Sequence, residues 1–134
     1  MNALVVVCNP KKDSFNHGIA KTAIEELKKK GYKIFYHDLY EEKFDPILLQ
    51  DEIDIKNIDD VKDEYVRKTC KEVTDSDILV VVHPNWWGEP PAMLKGWIDR
   101  IFRVGVVYKF DNTGKAIGLL KTKKAGTMSR KSTN

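Results

Sequence analysis

The chain has 134 residues, of which 42% are hydrophobic and 32% charged, a composition typical of one globular domain and unlike that of a disordered protein. No apolar run approaches the ~18 residues of a membrane span. The N-terminal segment lacks the basic region of a signal peptide, so we expect a cytoplasmic protein. The net charge is +3, and the charged residues after Gly118 are all basic. Charge confined to one end argues against a nucleic-acid-binding face, which needs basic residues clustered on a folded surface.

The first 38 residues carry the pattern of a strand, a helix and a second strand. Residues Ala3–Cys8 form a short β-branched apolar run, typical of a parallel strand that is covered on both faces. A polar loop follows, and Asn16 is the candidate N-cap of a helix that ends at Gly31. Residues Tyr32–Asp38 are predicted to form the second strand. Together these elements make a βαβ unit.

The later elements alternate in the same way. Apolar residues in Ile58–Val73 recur at helical spacing, and Ile78–Val82 has the sequence of a third buried strand. A further helix is predicted over Pro91–Arg103, because proline is favoured at the first helical position. The segment Asp111–Gly114 is typical of the turn of a β-hairpin. This alternation predicts an α/β fold with a doubly wound parallel sheet.

Two loops leave the carboxyl ends of predicted strands, which is where parallel sheets bind their ligands. The first loop, Asn9–Asn16, offers the Ser14 hydroxyl, the Asn16 amide and the backbone N–H groups of a helix start. Such donors, together with the helix dipole, are suited to a phosphate group. A plain helix cap that binds no ligand explains the same residues, and both interpretations stay open.

The second loop, His83–Pro91, contains the adjacent tryptophans Trp86 and Trp87. Large apolar side chains are costly to leave in water. The tryptophans therefore either wall a flat aromatic ligand or pack in a subunit interface, and the two interpretations are compatible. Gly88 would let a ligand approach the backbone closely.

The two cysteines, Cys8 and Cys70, lie far apart and are accompanied by no histidine cluster, so no metal site is expected. Cys8 ends an apolar run, and we expect it to be buried as a small hydrophobic residue.

Three segments resemble the flavodoxin-like NAD(P)H:quinone oxidoreductase family, which includes DT-diaphorase and the quinone reductases associated with bacterial potassium-efflux systems. They are Asn9–Ala20, Asp38–Leu48 and Pro84–Phe102, and the similarity continues from the last of these to Ala125. The third segment, PNWWGEPPAMLKGWIDRIF, is the most specific. The resemblance implies hydride transfer from NAD(P)H through FMN to a quinone-like acceptor. FAD is the alternative cofactor, and FMN is favoured because no surface for an adenine group is recognisable.

The resemblance also implies which residues hold the flavin, whereas the catalytic residues stay unknown. The phosphate and ribityl region would be held by Ser14, Phe15 and Asn16, next to Asn9. The isoalloxazine ring would be contacted by Pro84, Asn85, Trp86, Trp87 and Gly88. DT-diaphorase has a histidine at the position of Asn9 and an aromatic residue at that of Gly88.

Family members continue beyond the point where this chain ends, so we expect a truncated fold. Three parallel strands, three helices and a hairpin would occupy residues 1–125, and a basic, disordered tail would occupy residues 126–134. The strand order 2-1-3 implied by the family would leave the third strand with an uncovered edge. Because such an edge invites pairing with another chain, we expect a homodimer.

The part of the family fold that follows would supply the opposite wall of the flavin site, and this leaves three functions open. The chain is an active flavoenzyme, an inactive flavin-binding or apo remnant, or a non-catalytic interaction protein such as a partner of a membrane transporter.

Overall fold

The structure, a computed structural model, describes residues 1–122 and 124–131, without the side chains of residues 129–131. Its strands are β1 (Asn2–Val7), β2 (Lys33–Asp38), β3 (Ile78–Asn85), β4 (Tyr108–Phe110), β5 (Ala116–Gly118) and β6 (Lys124–Lys131). Its helices are α1 (Phe15–Lys29), α2 (Gln50–Ile53), α3 (Glu64–Asp75) and α4 (Ala92–Ile101), with a 3₁₀ turn at Ile58–Asp60. Within the described ranges no helix has the length and apolarity that a bilayer crossing requires.

The main sheet has the order β2-β1-β3-β6 and is parallel throughout, while β4 and β5 form a separate antiparallel hairpin. The predicted order 2-1-3 is therefore confirmed. Every residue of Ala3–Cys8 is fully buried, as the apolar run predicted. Side chains of Leu4, Val6 and Cys8 pack on one face with α3 and α4, and those of Val5 and Val7 pack on the other face beneath α1.

Helix α1 begins two residues earlier than predicted. Its N-cap is Ser14, whose Oγ accepts a hydrogen bond from the backbone N–H of His17 at 3.2 Å. The side chain of Asn16 is instead turned toward Asn9 of the preceding loop. The prediction of Asn16 as N-cap was wrong because both residue types cap helices and only the loop contacts decide between them. The helix end is as predicted: Gly31 follows it with a φ of 86°.

The helical pattern predicted over Ile58–Val73 is divided in the structure. Residues Ile58–Asp60 form only a 3₁₀ turn, and α3 begins at Glu64. The break occurs because the Asp63 carboxylate accepts the N–H of Val66 at 3.2 Å, as an N-cap does. Val61 lies in the connecting residues and is still fully buried, which is why it fitted the helical period.

Strand β6 corrects the expectation that β3 has an uncovered edge. Its residues pair in parallel with the whole of β3, from Ile78 opposite Lys124 to Asn85 opposite Lys131. Sheet pairing is made by backbone groups, so a polar segment can form an edge strand without filling a core. Its side chains at 124–128 are exposed. Residues 126–131, predicted to be a disordered tail, lie in this strand, and residues 132–134 lie outside the described part of the chain.

A buried ion pair fastens the irregular stretch between β2 and α3 onto α4. The guanidinium of Arg100 donates to both carboxylate oxygens of Glu52, at 3.1 Å and 2.5 Å, and also to Asp63 at 3.1 Å. Hydrogen bonding with Glu52 raises the pKa of Arg100 above its ordinary value. A further N–H of Arg100 donates to the carbonyl of Asp45 at 2.8 Å. Because planar Arg–carboxylate pairing is strongly directional, it determines where this stretch lies.

A second buried polar cluster joins β2 to α3. The ring of His37 contacts Glu42 at 2.9 Å through Nδ1 and Glu72 at 2.5 Å through Nε2, and Tyr65 donates its hydroxyl to Glu42 at 2.5 Å. Burial alone would lower the pKa of His37, but the hydrogen bonds with Glu42 and Glu72 outweigh it and raise the pKa to about 9. The imidazolium is thus the form that the fold holds at neutral pH.

We predict that this cluster makes stability fall with rising pH. An unfolded histidine releases its proton near pH 6.5, whereas folded His37 keeps it until about pH 9. Its contribution is therefore complete below about pH 6.5 and is lost as the pH passes 9. We expect on the order of 2 kcal/mol, since one pKa unit corresponds to about 1.4 kcal/mol and solvent screening reduces the total. Urea unfolding at pH 6, 7.5 and 9 measures the slope. His37→Gln should flatten it, and an unchanged slope in that variant would contradict the assignment.

A close backbone contact at Gly96 gives a second prediction. A Cβ atom there would lie 2.2 Å from the carbonyl oxygen and 2.3 Å from Cβ of Pro46, so Gly96→Ala must displace the segment that Arg100 anchors. We expect a loss of about 2–3 kcal/mol in the free energy of unfolding, as for overpacked cores. The matched control is Gly18→Ala in α1, where the added methyl meets no atom within 4 Å. There the better helix propensity of alanine should stabilise by up to about 1 kcal/mol.

Candidate functional site

The loops after β1 and β3 leave the same end of the main sheet. Strands β1 and β2 end level, with Val7 opposite Asp38, and the N–H of Leu39 donates to the carbonyl of Val7 at 3.0 Å. The N–H of Cys8 donates to the carbonyl of Val82 at 3.0 Å, and β3 continues beyond this point for three residues to Asn85. This is the end of the sheet at which open α/β proteins bind ligands, and both predicted loops begin there.

The loop after β1 is folded back on itself by short-range hydrogen bonds. The Asn9 side chain accepts the N–H of Lys11 at 2.9 Å and donates from Nδ2 to Oδ1 of Asn16, also at 2.9 Å. The N–H of Ser14 donates to the carbonyl of Lys11 at 3.1 Å. Three of the predicted site residues, Asn9, Ser14 and Asn16, are thus brought together in one rigid turn at the start of α1.

The Asn16 amide has a donor to spare. Its side chain is buried, with 3% of the residue exposed, and Nδ2 meets no hydrogen-bond acceptor among the residues that the structure describes. A buried polar group without a partner costs about 1–3 kcal/mol. An N–H donor held in this way beside the start of a helix is suited to an acceptor that comes from outside the chain.

A relay of side chains that the sequence analysis missed lies beneath Ser14. Its Oγ is 2.7 Å from Nδ1 of His17, and Nε2 of the same ring is 2.8 Å from Oδ2 of Asp38 at the end of β2. Both His17 and Asp38 are mostly buried. His17 follows Ser14 by three residues on the first turn of α1, and this spacing was the one signal that could have pointed to the contact.

Phe15, the remaining residue predicted in the first loop, is more than half exposed at the start of α1. Its backbone position therefore lies between the Ser14 hydroxyl and the Asn16 amide. The ring itself faces outward, next to Gly18 and Ile19 at the rim of a surface groove.

The second loop is shorter than predicted because β3 extends to Asn85. Pro84 and Asn85 pair with β6 as strand residues, and the chain then reverses over Trp86–Glu89. Trp86 and Glu89 exchange backbone hydrogen bonds of 3.0 Å and 3.1 Å. Trp87 and Gly88 both have positive φ values, 58° and 81°, as in a type I′ turn. The Asn85 side chain accepts the N–H of Gly88 at 2.8 Å and stabilises the turn.

The two tryptophans of this turn have different environments. Trp87 is fully exposed, while Trp86 is 37% exposed. Positive φ in a non-glycine residue costs roughly 1–3 kcal/mol and tends to occur where a loop serves a ligand. The turn therefore keeps Trp87 in a strained backbone conformation and presents its large aromatic ring to water.

An apolar cavity of about 410 Å³ lies between α4, β3 and β6, and it is lined by His83 and Pro90 on either side of the Trp86–Glu89 turn. Its walls include Leu79, Leu94, Trp97 and Gly126, and none of the nine predicted site residues lines it. The loop site is instead an open edge with hydrogen-bond donors on one side and aromatic rings on the other.

The fold agrees with comparisons to known proteins. A family model described as flavodoxin-like fold matches residues 1–129. The chain belongs to the flavodoxin-like fold family. The resemblance recognised from three sequence segments is thereby confirmed.

Relatives of this flavodoxin-like chain carry oxidoreductase names. An uncharacterized NAD(P)H oxidoreductase of Haemophilus influenzae is 35% identical and is matched over 92% of this chain and 60% of its own length. NAD(P)H dehydrogenase [quinone] 1 of Cavia porcellus is 31% identical over 81% of the chain and 45% of its own length. The FMN-dependent NADH:quinone oxidoreductase of Pelagibacter ubique is 32% identical over 86% and 63%. The chain thus spans about half to two thirds of the length of these relatives.

Solved structures show the same relationship. The NAD(P)H:quinone oxidoreductase of Methanothermobacter marburgensis superposes with a TM-score of 0.82 at 25% identity, covering 98% of this chain and 66% of that one. A Streptococcus mutans protein superposes with a TM-score of 0.77 at 32% identity, covering 95% and 67%.

The exposure of the tryptophans gives a direct test of the site geometry. Trp87 is fully exposed and Trp97 is fully buried, so iodide should quench the fluorescence of the first and leave that of the second. We predict that Trp87→Phe removes most of the iodide-quenchable emission. The control Trp97→Phe should retain it, and equal quenching of the wild type and Trp87→Phe would contradict the exposed turn.

Proposed function

We propose that this chain forms the phosphate side and one ring wall of an FMN site in a NAD(P)H dehydrogenase (quinone). The named relatives from Cavia porcellus and Pelagibacter ubique support the activity, and the latter is described as FMN-dependent. When bound, FMN would supply the two-electron chemistry between NAD(P)H and a quinone-like acceptor. The contribution of this chain is to bind and orient that group.

The observation that carries the proposal is the unpartnered donor of Asn16. Nδ2 is buried at the start of α1, beside the capping residue Ser14. The contact of Asn16 with Asn9 is made by Oδ1, so Nδ2 itself has no acceptor among the described residues. A phosphate at this place would satisfy Nδ2 and would lie at the positive end of the helix dipole. A plain helix cap leaves Nδ2 unexplained, so the ligand interpretation of this loop is favoured.

The turn Trp86–Glu89 is proposed to hold the ring. The exposed indole of Trp87 offers a flat apolar surface, and the absent side chain at Gly88 leaves open space where a planar ligand can approach the backbone. Pro84 and Asn85, held in β3 by pairing with β6, fix the base of this wall. Asn85 would support the ring by stabilising the turn, because its Oδ1 already accepts the N–H of Gly88.

FMN is favoured over FAD because the donors found here, the Asn16 amide and the helix start beneath Ser14, match one phosphate group. The NAD(P)H co-substrate and a quinone acceptor follow from the names of the relatives.

A homodimer and a cytoplasmic location are further proposals. The uncovered β3 edge no longer supports dimerisation, because β6 occupies it. Support comes instead from the hairpin, where Phe110 and Ile117 leave large apolar side chains in water. Burial of the same residues against a second copy would remove this exposed surface.

Binding of FMN by the purified full chain tests the cofactor assignment. We expect uptake of added FMN with flavin absorbance, and binding weaker by at least about tenfold in Asn16→Asp, which replaces the donor by a repelling carboxylate of the same shape. Loss of a hydrogen bond to a charged group costs about 1.5–3 kcal/mol, and 1.4 kcal/mol corresponds to a factor of ten. The control Thr22→Ala changes a hydroxyl on the exposed part of α1, bonded only to the helix itself, and should bind FMN normally.

The outcomes separate the three functions left open by the sequence. FMN binding with NAD(P)H-dependent quinone reduction supports the active enzyme. FMN binding without turnover supports an inactive flavin-binding protein. A colourless protein that takes up no added FMN would contradict the FMN site and leave an apo remnant or an interaction protein.

A further inference from the structure

We propose that His17 is a positioning residue that takes up a proton when a phosphate-type oxyanion binds at Ser14. The inference rests on the phosphate end of the proposed FMN site, and it adds a proton linkage that the site itself does not require. It is carried by the hydrogen-bond relay that runs from Ser14 through His17 to Asp38.

The relay can be accounted for atom by atom. The Ser14 hydroxyl has one O–H donor and two acceptor positions. One acceptor position is used by the backbone N–H of His17, at 3.2 Å. The remaining contact, 2.7 Å to Nδ1 of His17, must be made by the other acceptor position or by the O–H itself. Which of the two makes it depends on the protonation state of the ring.

When His17 is neutral, the Ser14 O–H points toward the His17 ring and not toward an anion. Nε2 lies 2.8 Å from the Asp38 carboxylate, which accepts hydrogen bonds and donates none when ionised, so Nε2 carries the proton. Nδ1 then has only a lone pair, and Ser14 must donate its O–H to it. The position left on Oγ is a lone pair, which repels an incoming oxyanion.

A protonated His17 does the opposite. Nδ1 now carries a hydrogen and donates it to Ser14, so that both acceptor positions of Oγ are occupied by N–H groups. The Ser14 O–H is then free to point outward and donate to the oxyanion. The imidazolium also adds a positive charge next to the start of α1. An oxyanion and a proton on His17 should therefore bind together, each strengthening the other.

The groups around the ring favour this arrangement. Asp38 faces it from β2, and Oδ1 of Asp38 accepts the N–H of Glu41 at 3.2 Å. The Glu41 carboxylate is paired with Lys12 of the first loop at 3.5 Å, so its charge is partly compensated. Asp38 thus supplies the negative charge in contact with the ring, and it can stabilise the imidazolium.

The thiol of Cys8 and the hydroxyls of Tyr36 and Tyr40 keep their protons over the pH range of the experiment. Burial raises the pKa of the Cys8 thiol to about 12. Burial, assisted by the charge of Asp38, raises the pKa of the Tyr36 hydroxyl, and burial likewise raises that of Tyr40. Along the chain, Asp13 stands four residues before His17 and Lys21 four residues after it, and both are exposed. Neither the thiol nor the two hydroxyls compete for the proton between pH 5 and 9.

An independent observation marks this turn as a ligand site. The buried Nδ2 of Asn16 has no acceptor in the described ranges, and it belongs to the same turn as Ser14. The relay and the unpartnered donor therefore prepare two hydrogen bonds for one oxyanion. Only the bond from Ser14 depends on a proton.

Sulfate is the suitable probe, because it carries no proton of its own above pH 5, whereas the phosphate of FMN titrates near pH 6. We would follow the ring signals of the three histidines by NMR between pH 5 and 9, in sulfate and in chloride of equal ionic strength. His17→Gln identifies the signal of His17 by its loss. We expect sulfate to move the titration midpoint of that signal to higher pH and to leave those of His37 and His83 in place.

FMN binding is then measured over the same pH range, with riboflavin as the ligand that lacks the phosphate. As the pH rises above the point at which His17 loses its proton, the affinity of the wild type for FMN should fall by up to tenfold per pH unit. This fall should come on top of any pH dependence that His17→Gln also shows. Riboflavin binding should show no such difference between the wild type and the variant. Asp38→Asn, which removes the charge and keeps the shape, should shift the midpoint of His17 to lower pH.

The results distinguish a failure of this inference from a failure of the FMN site. A sulfate-dependent shift of His17 without any FMN binding supports the relay and rejects the FMN site. FMN binding with the same pH profile in the wild type and His17→Gln overturns the relay and leaves the FMN site intact. Absence of any sulfate-dependent shift of the His17 signal also overturns it.

Discussion

The burial of β1 on both faces is the constraint on which the rest of the molecule depends. Its residues from Ala3 to Cys8 are completely buried, so they require a strand on each side and helices above and below. The same pairing brings the carboxyl ends of β1, β2 and β3 to one end of the sheet, where hydrogen bonds run from Cys8 to Val82 and from Leu39 to Val7 and β3 continues to Asn85. The two loops that form the candidate site leave the same end of the sheet for this reason.

Polar interactions, rather than further apolar burial, place the irregular parts of the chain. The Arg100–Glu52 pair holds the stretch after β2 against α4, and the His37 cluster joins β2 to α3. Removing one partner of such a pair leaves a buried charge and is strongly destabilising. The His37 cluster also makes the fold sensitive to alkaline pH, because the histidine is held in its protonated form.

The candidate site has a donor side and an aromatic side that are built differently. The donor side is a compact turn, in which Asn9 orients Asn16 and Asp38 orients His17 beneath Ser14. The aromatic side is a strained two-residue reversal that exposes Trp87. These two sides are the parts of the proposed FMN site that the described residues offer.

The sequence by itself determined the fold class and the two loops, because apolar periodicity and turn residues are local signals that survive without tertiary contacts. The strand order 2-1-3 came from the resemblance to the family, since local signals do not say which strands pair. The sequence also predicted that Ser14, Asn16 and the tryptophans lie in the loops that follow the carboxyl ends of the strands. Only the tertiary structure decided that Ser14 rather than Asn16 caps α1, that β6 covers β3, and that His17 and Asp38 stand behind Ser14. Those outcomes depend on pairs such as His17 and Asp38, which are 21 residues apart along the chain and whose contact leaves no periodic trace in the sequence.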